Sequence, residues 1–362
     1  MKAKPTALAA FITILSLDPS NAFAFEQESS RLTPAPKQAI PTGQDWLLNS
    51  SPFKASAFRG PASDELVLRN GLLRRTFKLM PNATTLGLDN LMTGETMLRA
   101  VEPEAVVTID GKEFKVGGLR GQPDRAYLLP EWTAKLTNDP GAFQFVDFSL
   151  GKPEATFGWQ RKRHSADLPW PPPGATLALN FRGPDEATRG VTVTVHHELY
   201  DGLPVLGKWL TVSNGTARTI TLDRFTSERL AIVEAESAVD ERTDIAWRTP
   251  TITALSDYMF KGMDVVTGNQ IASWRSDPEF KTQVSYPLKT PCLLVCEPPI
   301  GPGVRLAPGE TFTSFRTWLV VHDSTDRERQ GLFIRHAHRA LAPWSTESHC
   351  IKFSPLLWSK PF

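Results

Sequence analysis

The sequence predicts an all-β protein: a large antiparallel β-supersandwich with a single helix near the end of the chain. Three observations carry that prediction. Period-two alternation recurs along the body, at its longest from Val191 to Tyr200. Two-residue turn signals, Asn70-Gly71, Asp110-Gly111, Asp201-Gly202 and Asn214-Gly215, separate apolar runs. The chain also holds 30 Pro and 24 Gly, about 15% of its 362 residues against a norm of about 12%, which suits short strands and frequent turns.

Taken in order, residues 1–24 read as a signal peptide. Lys2 and Lys4 precede an apolar run from Thr6 to Leu17, and Asn21-Ala22-Phe23-Ala24 offers small residues for cleavage after Ala24. The run is short for a membrane span, so a secreted or periplasmic protein with no membrane attachment after cleavage is expected. Residues 25–63, rich in Ser, Thr, Pro and Gln without a period, read as an extended leader. The β domain is assigned to 64–325. Leu66 to Arg69 and Leu72 to Phe77 form a hairpin about Asn70-Gly71, and Ala105 to Ile109 pairs with Phe114 to Val116 about Asp110-Gly111. In the longest run, Val191, Val193, Val195, His197 and Leu199 share one face, and Thr192, Thr194, His196, Glu198 and Tyr200 the other. Asp201-Gly202 returns the chain through Val205 to Val212, and Asn214-Gly215 turns it again, which makes an antiparallel meander. Further strands are expected at 143–150, 175–181, 228–236, 291–297 and 312–321, more than a simple sandwich holds. A connector helix occupies 326–347: Asp326 is its N-cap, Phe333, Ala337 and Ala340 recur at helical spacing, and Ala342-Pro343 ends it. Residues 348–362 are an irregular tail.

Composition removes some function classes. With 40 Lys+Arg against 39 Asp+Glu the formal charge is +1, so binding of nucleic acid through its phosphates is not expected. The basic run Arg161-Lys162-Arg163-His164 reads as a solvated loop. Cys292 and Cys296 lie four strand residues apart, roughly 13 Å, beyond the reach of a disulfide, and read as small buried side chains. Cys350 completes an odd set of three. No zinc spacing, phosphate loop or nucleophile elbow is present, and neither metal nor cofactor is expected.

The meander 195–215, Val-His-His-Glu-Leu-Tyr-Asp-Gly-Leu-Pro-Val-Leu-Gly-Lys-Trp-Leu-Thr-Val-Ser-Asn-Gly, resembles the N-terminal region of α-galactosidase-like glycoside hydrolases, family 36 and its relatives. Asn70 to Phe77, Met92 to Glu95, Leu119 to Pro123 and Arg327 to Phe333 leading into Ala342 to Glu347 add to the resemblance, which covers roughly 64–347. It implies a galactose mutarotase-like supersandwich, a helical connector and a catalytic (β/α)₈ barrel. A barrel takes about 250 residues, whereas 15 follow Glu347. The expectation is therefore a non-catalytic domain, truncated or orphaned from the barrel, and no catalytic residue is carried over.

Two function classes follow. In the first, the domain binds carbohydrate or supports the barrel of longer relatives. Sugar sites pair flat aromatics with carboxylates and amides, and the candidates are Trp132, Trp159, Trp170 and Trp274 in loops, with Asp257 and Tyr258; the plainer reading of each Trp is an anchoring plug. In the second, the sandwich is itself a sugar-active enzyme of the aldose mutarotase or polysaccharide lyase kind. His196 and Glu198, near 6.6 Å apart on one strand face, then serve as acid and base. The plainer reading of that pair is a solvated face.

Overall fold

The computed structural model describes residues 32–36, 45–162, 165–236, 250–258, 270–285 and 287–346. The signal segment, Cys350 and the tail of the sequence reading lie outside them.

Strands dominate. The chain first lays down a five-stranded antiparallel sheet in sequence order, β1 (Ser56–Arg59), β2 (Glu65–Arg69), β3 (Leu73–Lys78), β4 (Thr84–Asn90) and β5 (Glu95–Thr96). Then come β6 (Leu98–Ala100), β7 (Ala105–Ile109), β8 (Lys112–Val116) and the short pair β9 (Leu119–Arg120) and β10 (Thr137–Asn138), with one helical turn, α1 (Pro130–Thr133), between its strands. The long meander is β11 (Gln144–Gly151), β12 (Gly174–Arg182), β13 (Val191–Tyr200) and β14 (Val205–Asn214). There follow β15 (Ile220–Thr226), β16 (Glu228–Ile232), β17 (Ile252–Ser256), β18 (Ala272–Ser276), β19 (Pro291–Cys296), β20 (Pro302–Leu306), β21 (Thr311–Thr313), β22 (Thr317–Val321) and helix α2 (Arg327–Leu341).

The meander is the spine of a seven-stranded sheet, β11-β12-β13-β14-β22-β17, with β21 also paired to β14. Two four-stranded sheets, β20-β15-β7-β8 and β18-β19-β16-β6, join the five-stranded sheet opposite it. The core lies between these layers. Val191, Val193, Val195 and Leu199 of β13 bury their side chains there with Phe181 of β12, Leu210 of β14, Phe77 of β3 and Val107 of β7. This is the face that the alternation assigns to them, because a strand buried on one side exposes every second residue to water on the other.

The outer face of the large sheet is divided. One part carries a polar ladder: Asn180 donates to Asp147 at 2.6 Å, and Thr194 donates to Asn180 at 2.8 Å. The other is apolar, and α2 covers it. Phe333, Ala337, Ala340 and Leu341 pack with Val205, Leu255, Trp318 and Val320 in a second core. Asp326 caps the helix, its carboxylate accepting from the Arg329 N–H at 2.7 Å.

Two expectations of the fold need correction, and one holds with an addition. The leader does not run to residue 63: Ser56–Arg59 is β1, and Trp46 and Phe53 are buried in the second core. Two aromatics outweigh a polar average, since each removes a large apolar area from water, and Trp46 also donates to Asp323 at 2.8 Å. Strand 312–321 is two strands, because two residues of β14, Trp209 and Leu210, face three, Ser314 to Arg316. Asn70 is more than a turn residue. Its amide donates to the carbonyls of Tyr200 and Leu203 at 2.8 and 2.7 Å, and its carbonyl accepts from the Leu72 and Leu73 N–H groups at 2.9 Å each, pinning the first hairpin to the meander.

Candidate functional site

A cluster of titratable and aromatic side chains stands where the polar ladder meets the apolar cap. His196 and Glu198 come from the outer face of β13, and Trp209 is the cross-strand partner of His196 on β14. The imidazole stacks on the indole with centroids 4.6 Å apart and planes within 3°, and its Nε2 shares a hydrogen bond with Thr211 Oγ1 at 2.9 Å. The β21–β22 bulge delivers Arg316, whose guanidinium carbon lies 3.9 Å from the centroid of the Trp209 ring. The same guanidinium reaches Glu198 at 3.3 Å. The Tyr200 hydroxyl donates to Glu198 at 2.6 Å and accepts from Trp318 Nε1 at 2.8 Å. Gly207 makes this chain possible: a Cβ there would stand 2.9 Å from the Tyr200 hydroxyl and 3.2 Å from the Trp318 ring.

Asp257 and Tyr258 follow β17 and join the cluster through the bulge. Asp257 accepts from the Arg316 N–H at 2.8 Å, and Tyr258, 43% exposed, stacks on Phe315 at 5.2 Å. The structure thus unites two groups of residues that the sequence offered separately, the His196–Glu198 pair and the Asp257–Tyr258 pair. Arg316, the residue that joins them, lies inside what reads as one strand.

The electrostatics separate the titratable groups. Burial, with the Arg316 charge adding to it, lowers His196 to about 4, so the imidazole is neutral at pH 7. Burial raises the Glu198 carboxyl and Glu154 pushes the same way, against the pull of Arg316 and the Tyr200 hydroxyl. Asp257 is exposed at its surface, yet the protein packed around its carboxyl raises its pKa against the Arg316 N–H. The arrangement presents a neutral imidazole, a guanidinium, carboxylates and hydroxyls, which are donors and acceptors of the kind a polyol takes. Glu198 is only 2% exposed and holds two partners, which limits it as a proton-transfer group.

The adjacent His197 points the other way, into a buried ionic network. Lys208 reaches Glu228 at 2.7 Å and Glu104 at 3.2 Å, Arg75 reaches Glu228 at 2.7 Å, and His197 Nε2 lies 3.2 Å from Glu104. Two cations balance two carboxylates. Burial first, then Arg75 and Lys208, hold His197 at about 3, while Glu104 and Glu228 lie below the usual carboxylate range because the cations overcome their burial. Balanced in this way, the network braces the strands beneath the outer cluster.

The aromatic candidates divide. Trp159 and Trp170 meet Trp344, which follows α2, at centroid distances of 6.3 and 5.4 Å, with Phe157 4.9 Å from both Trp170 and Trp344. This half-exposed cluster sits on the β11–β12 connection, which also carries Glu154 toward Glu198. Trp132 is apart from both groups, in α1, stacked on Tyr127 at 5.3 Å. Trp274 is not a loop residue: it lies in the edge strand β18 opposite Leu294 and packs against the main core, a plug rather than a platform. Cys292 and Cys296 are free and buried. Among the described residues, no group of three His, Cys, Asp or Glu side chains is placed to hold a metal ion, and no helix is long and apolar enough to cross a membrane.

No family model and no curated protein matches the chain. Solved structures align at low similarity. The galactosidase domain of the α-galactosidase-sucrose kinase AgaSK does so with a TM-score of 0.37 and 9% identity over 72% of this chain and 41% of its own. The family 36 α-galactosidase AgaA from Geobacillus stearothermophilus gives 0.35 and 11% over 72% and 41%. A putative aldose 1-epimerase from Klebsiella pneumoniae gives 0.37 and 8% over 79% and 84%. The chain spans about two fifths of the length of the two galactosidase structures.

Proposed function

We propose that the chain is a carbohydrate-binding β-sandwich region of the α-galactosidase-like kind, non-catalytic in itself, which takes a saccharide on the outer face of the large sheet. The convergence of His196, Glu198, Arg316, Asp257 and Tyr258 about Trp209 carries the reading. Sugar hydroxyls need fixed donors and acceptors at the edge of an aromatic surface, and the Trp159–Trp170–Trp344 cluster on the neighbouring loop offers further rings. In longer relatives that loop face would meet the barrel. Export with removal of residues 1–24 belongs to the same proposal, and N-terminal sequencing of secreted protein that begins at Phe25 would support it.

Calorimetry on the purified chain with galactosides and glucosides tests the reading. Binding is expected to weaken at least tenfold in Arg316→Met and to be unaccompanied by hydrolysis of a chromogenic α-galactoside. Hydrolysis, or affinity unmoved by Arg316→Met, would count against it.

One observation favours a second reading, aldose mutarotation. His196, neutral at pH 7, and Glu198, with a raised carboxyl pKa, stand two residues apart on one strand face, and proton transfer at the ring oxygen and anomeric hydroxyl is what speeds ring opening. Polarimetry decides it: catalysed mutarotation must be present in the wild type and lost in His196→Gln.

A further inference from the structure

Away from the large sheet, the segment from Gly117 to Gln122 lies along a cleft of about 380 Å³ on the layer formed by β7, β8 and β16. Its size falls within the range of small-molecule sites, about 300–1,000 Å³. The floor is backbone that only glycine allows. Gly117 and Gly118 have φ of +64° and +87°, and a Cβ on Gly117 would lie 2.2 Å from the Ala83 carbonyl oxygen. One wall is a Glu102 carboxylate clasped by two guanidiniums, Arg229 at 2.7 Å on one oxygen and Arg125 on the other, with Arg125 held in turn by Asp277 at 3.1 Å. The lining also carries the Arg120–Asp139 ion pair. Gln122 fixes the loop, accepting from the Val101 N–H at 3.0 Å and donating to the carbonyls of Arg99 and Tyr127 at 2.9 and 3.0 Å.

Charge narrows the ligand. The cleft is lined by four cationic and four anionic side chains, so its walls carry no excess of either sign to hold a phosphate or a polyanion. They present instead braced guanidinium donors and carboxylate acceptors, a set that matches neighbouring hydroxyls on a ring. Outside the lining, Tyr127, whose carbonyl accepts from Gln122 at 3.0 Å, is 51% exposed and stacks with Trp132 at 5.3 Å and 25°, a flat apolar surface suited to the C–H face of a sugar that extends past the cleft. We propose that this cleft is a second binding site, for a neutral mono- or disaccharide. None of the outer-face cluster residues lines it, so the two sites stand or fall separately.

Calorimetry with galactose, glucose, mannose, lactose and sucrose on the full chain tests the site. At least one sugar is expected to bind. Val106→Trp, which fills the cleft from β7, should weaken that event at least tenfold, Trp132→Ala should weaken it about fivefold, and Asp326→Ala, at the cap of α2 and outside the cleft, should leave it unchanged. Far-ultraviolet circular dichroism and the melting temperature report whether Val106→Trp is folded; if it is not, Trp132→Ala, at a half-buried position, decides. The proposal is overturned if no sugar of the panel binds below about 20 mM, if inorganic phosphate binds where sugars do not, or if affinity is unmoved in a folded Val106→Trp or in Trp132→Ala.

Discussion

Replacing Lys208 with Met tests whether the buried network is held by charge balance. The ammonium donates to Glu228 Oε1 at 2.7 Å and to the Glu104 backbone carbonyl at 2.7 Å, and lies 3.2 Å from Glu104 Oε2. Methionine fills the stem and leaves two carboxylates facing one guanidinium. Breaking a buried ion pair on one side costs about 3–5 kcal/mol, set against a total of about 5–15 kcal/mol for a typical protein, so the variant is expected to fold with much reduced stability. The deficit should also depend on pH. In the wild type His197 titrates at about 3, held down by burial first and then by Arg75 and Lys208, while Glu104 pulls it up. The folded value lies below the unfolded one of about 6.5, so the unfolded chain takes that proton first. Wild-type stability from this group is complete above about pH 6.5 and falls as pH drops through it, by up to about 1.4 kcal/mol per unit. Without Lys208 the folded imidazole or Glu104 accepts a proton more readily, and the variant loses less on acidification. Urea unfolding followed by tryptophan fluorescence should show a deficit of about 3–5 kcal/mol at pH 8 that narrows by at least about 1 kcal/mol at pH 5.5. A deficit below about 1 kcal/mol, or one equal at both pH values, refutes the charge-balance argument.

Three further outcomes are expected. In Arg316→Met, the imidazole resonances of His196 should titrate above the wild-type value of about 4, because burial remains but the neighbouring charge is gone; an unmoved midpoint by NMR would mean that Arg316 does not stand at the cluster. Asn70→Ala leaves two carbonyls and two N–H groups without their partner in the interior, so about 3–6 kcal/mol should be lost in urea unfolding, and a loss under about 1 kcal/mol would contradict the clip. Asp326→Ala removes only the N-cap of α2 and should cost about 1 kcal/mol by the same measurement, with saccharide binding retained.

The parts legible in the sequence are those set by local rules. Alternation from Val191 to Tyr200 sorts two adjacent histidines to opposite faces, and the structure puts His197 in the core and His196 on the outer face. The Asp326 cap and the apolar spacing of α2 are local in the same way. The partners of His197 are not: Arg75, Glu104 and Glu228 come from β3, the β6–β7 connection and β16, and nothing near any one of them signals the others. Trp159 and Trp170 likewise meet Trp344 only because α2 folds back over the sheet.

Arg316 shows why a site escapes pattern reading even within a correctly placed strand. Unbroken alternation over 312–321 would set Phe312, Ser314, Arg316 and Trp318 on one face. The register differs: Phe312 pairs with Val212 and packs against Phe225 of the core, while Trp318 pairs with Gly207 and faces outward beside Tyr200. One extra residue between them absorbs the change of face, with Ser314 tying the bulge to Leu210 by accepting its N–H at 2.9 Å. An aromatic is thereby kept in the core upstream, and an arginine is kept on the outer face downstream, where Trp209, Glu198 and Asp257 meet it. Deleting one residue between Thr313 and Arg316 would leave two residues opposite Trp209 and Leu210 and an odd spacing between Phe312 and Arg316, so plain alternation would then hold Phe312 inward and Arg316 outward; with the residue present, only the bulge can do so.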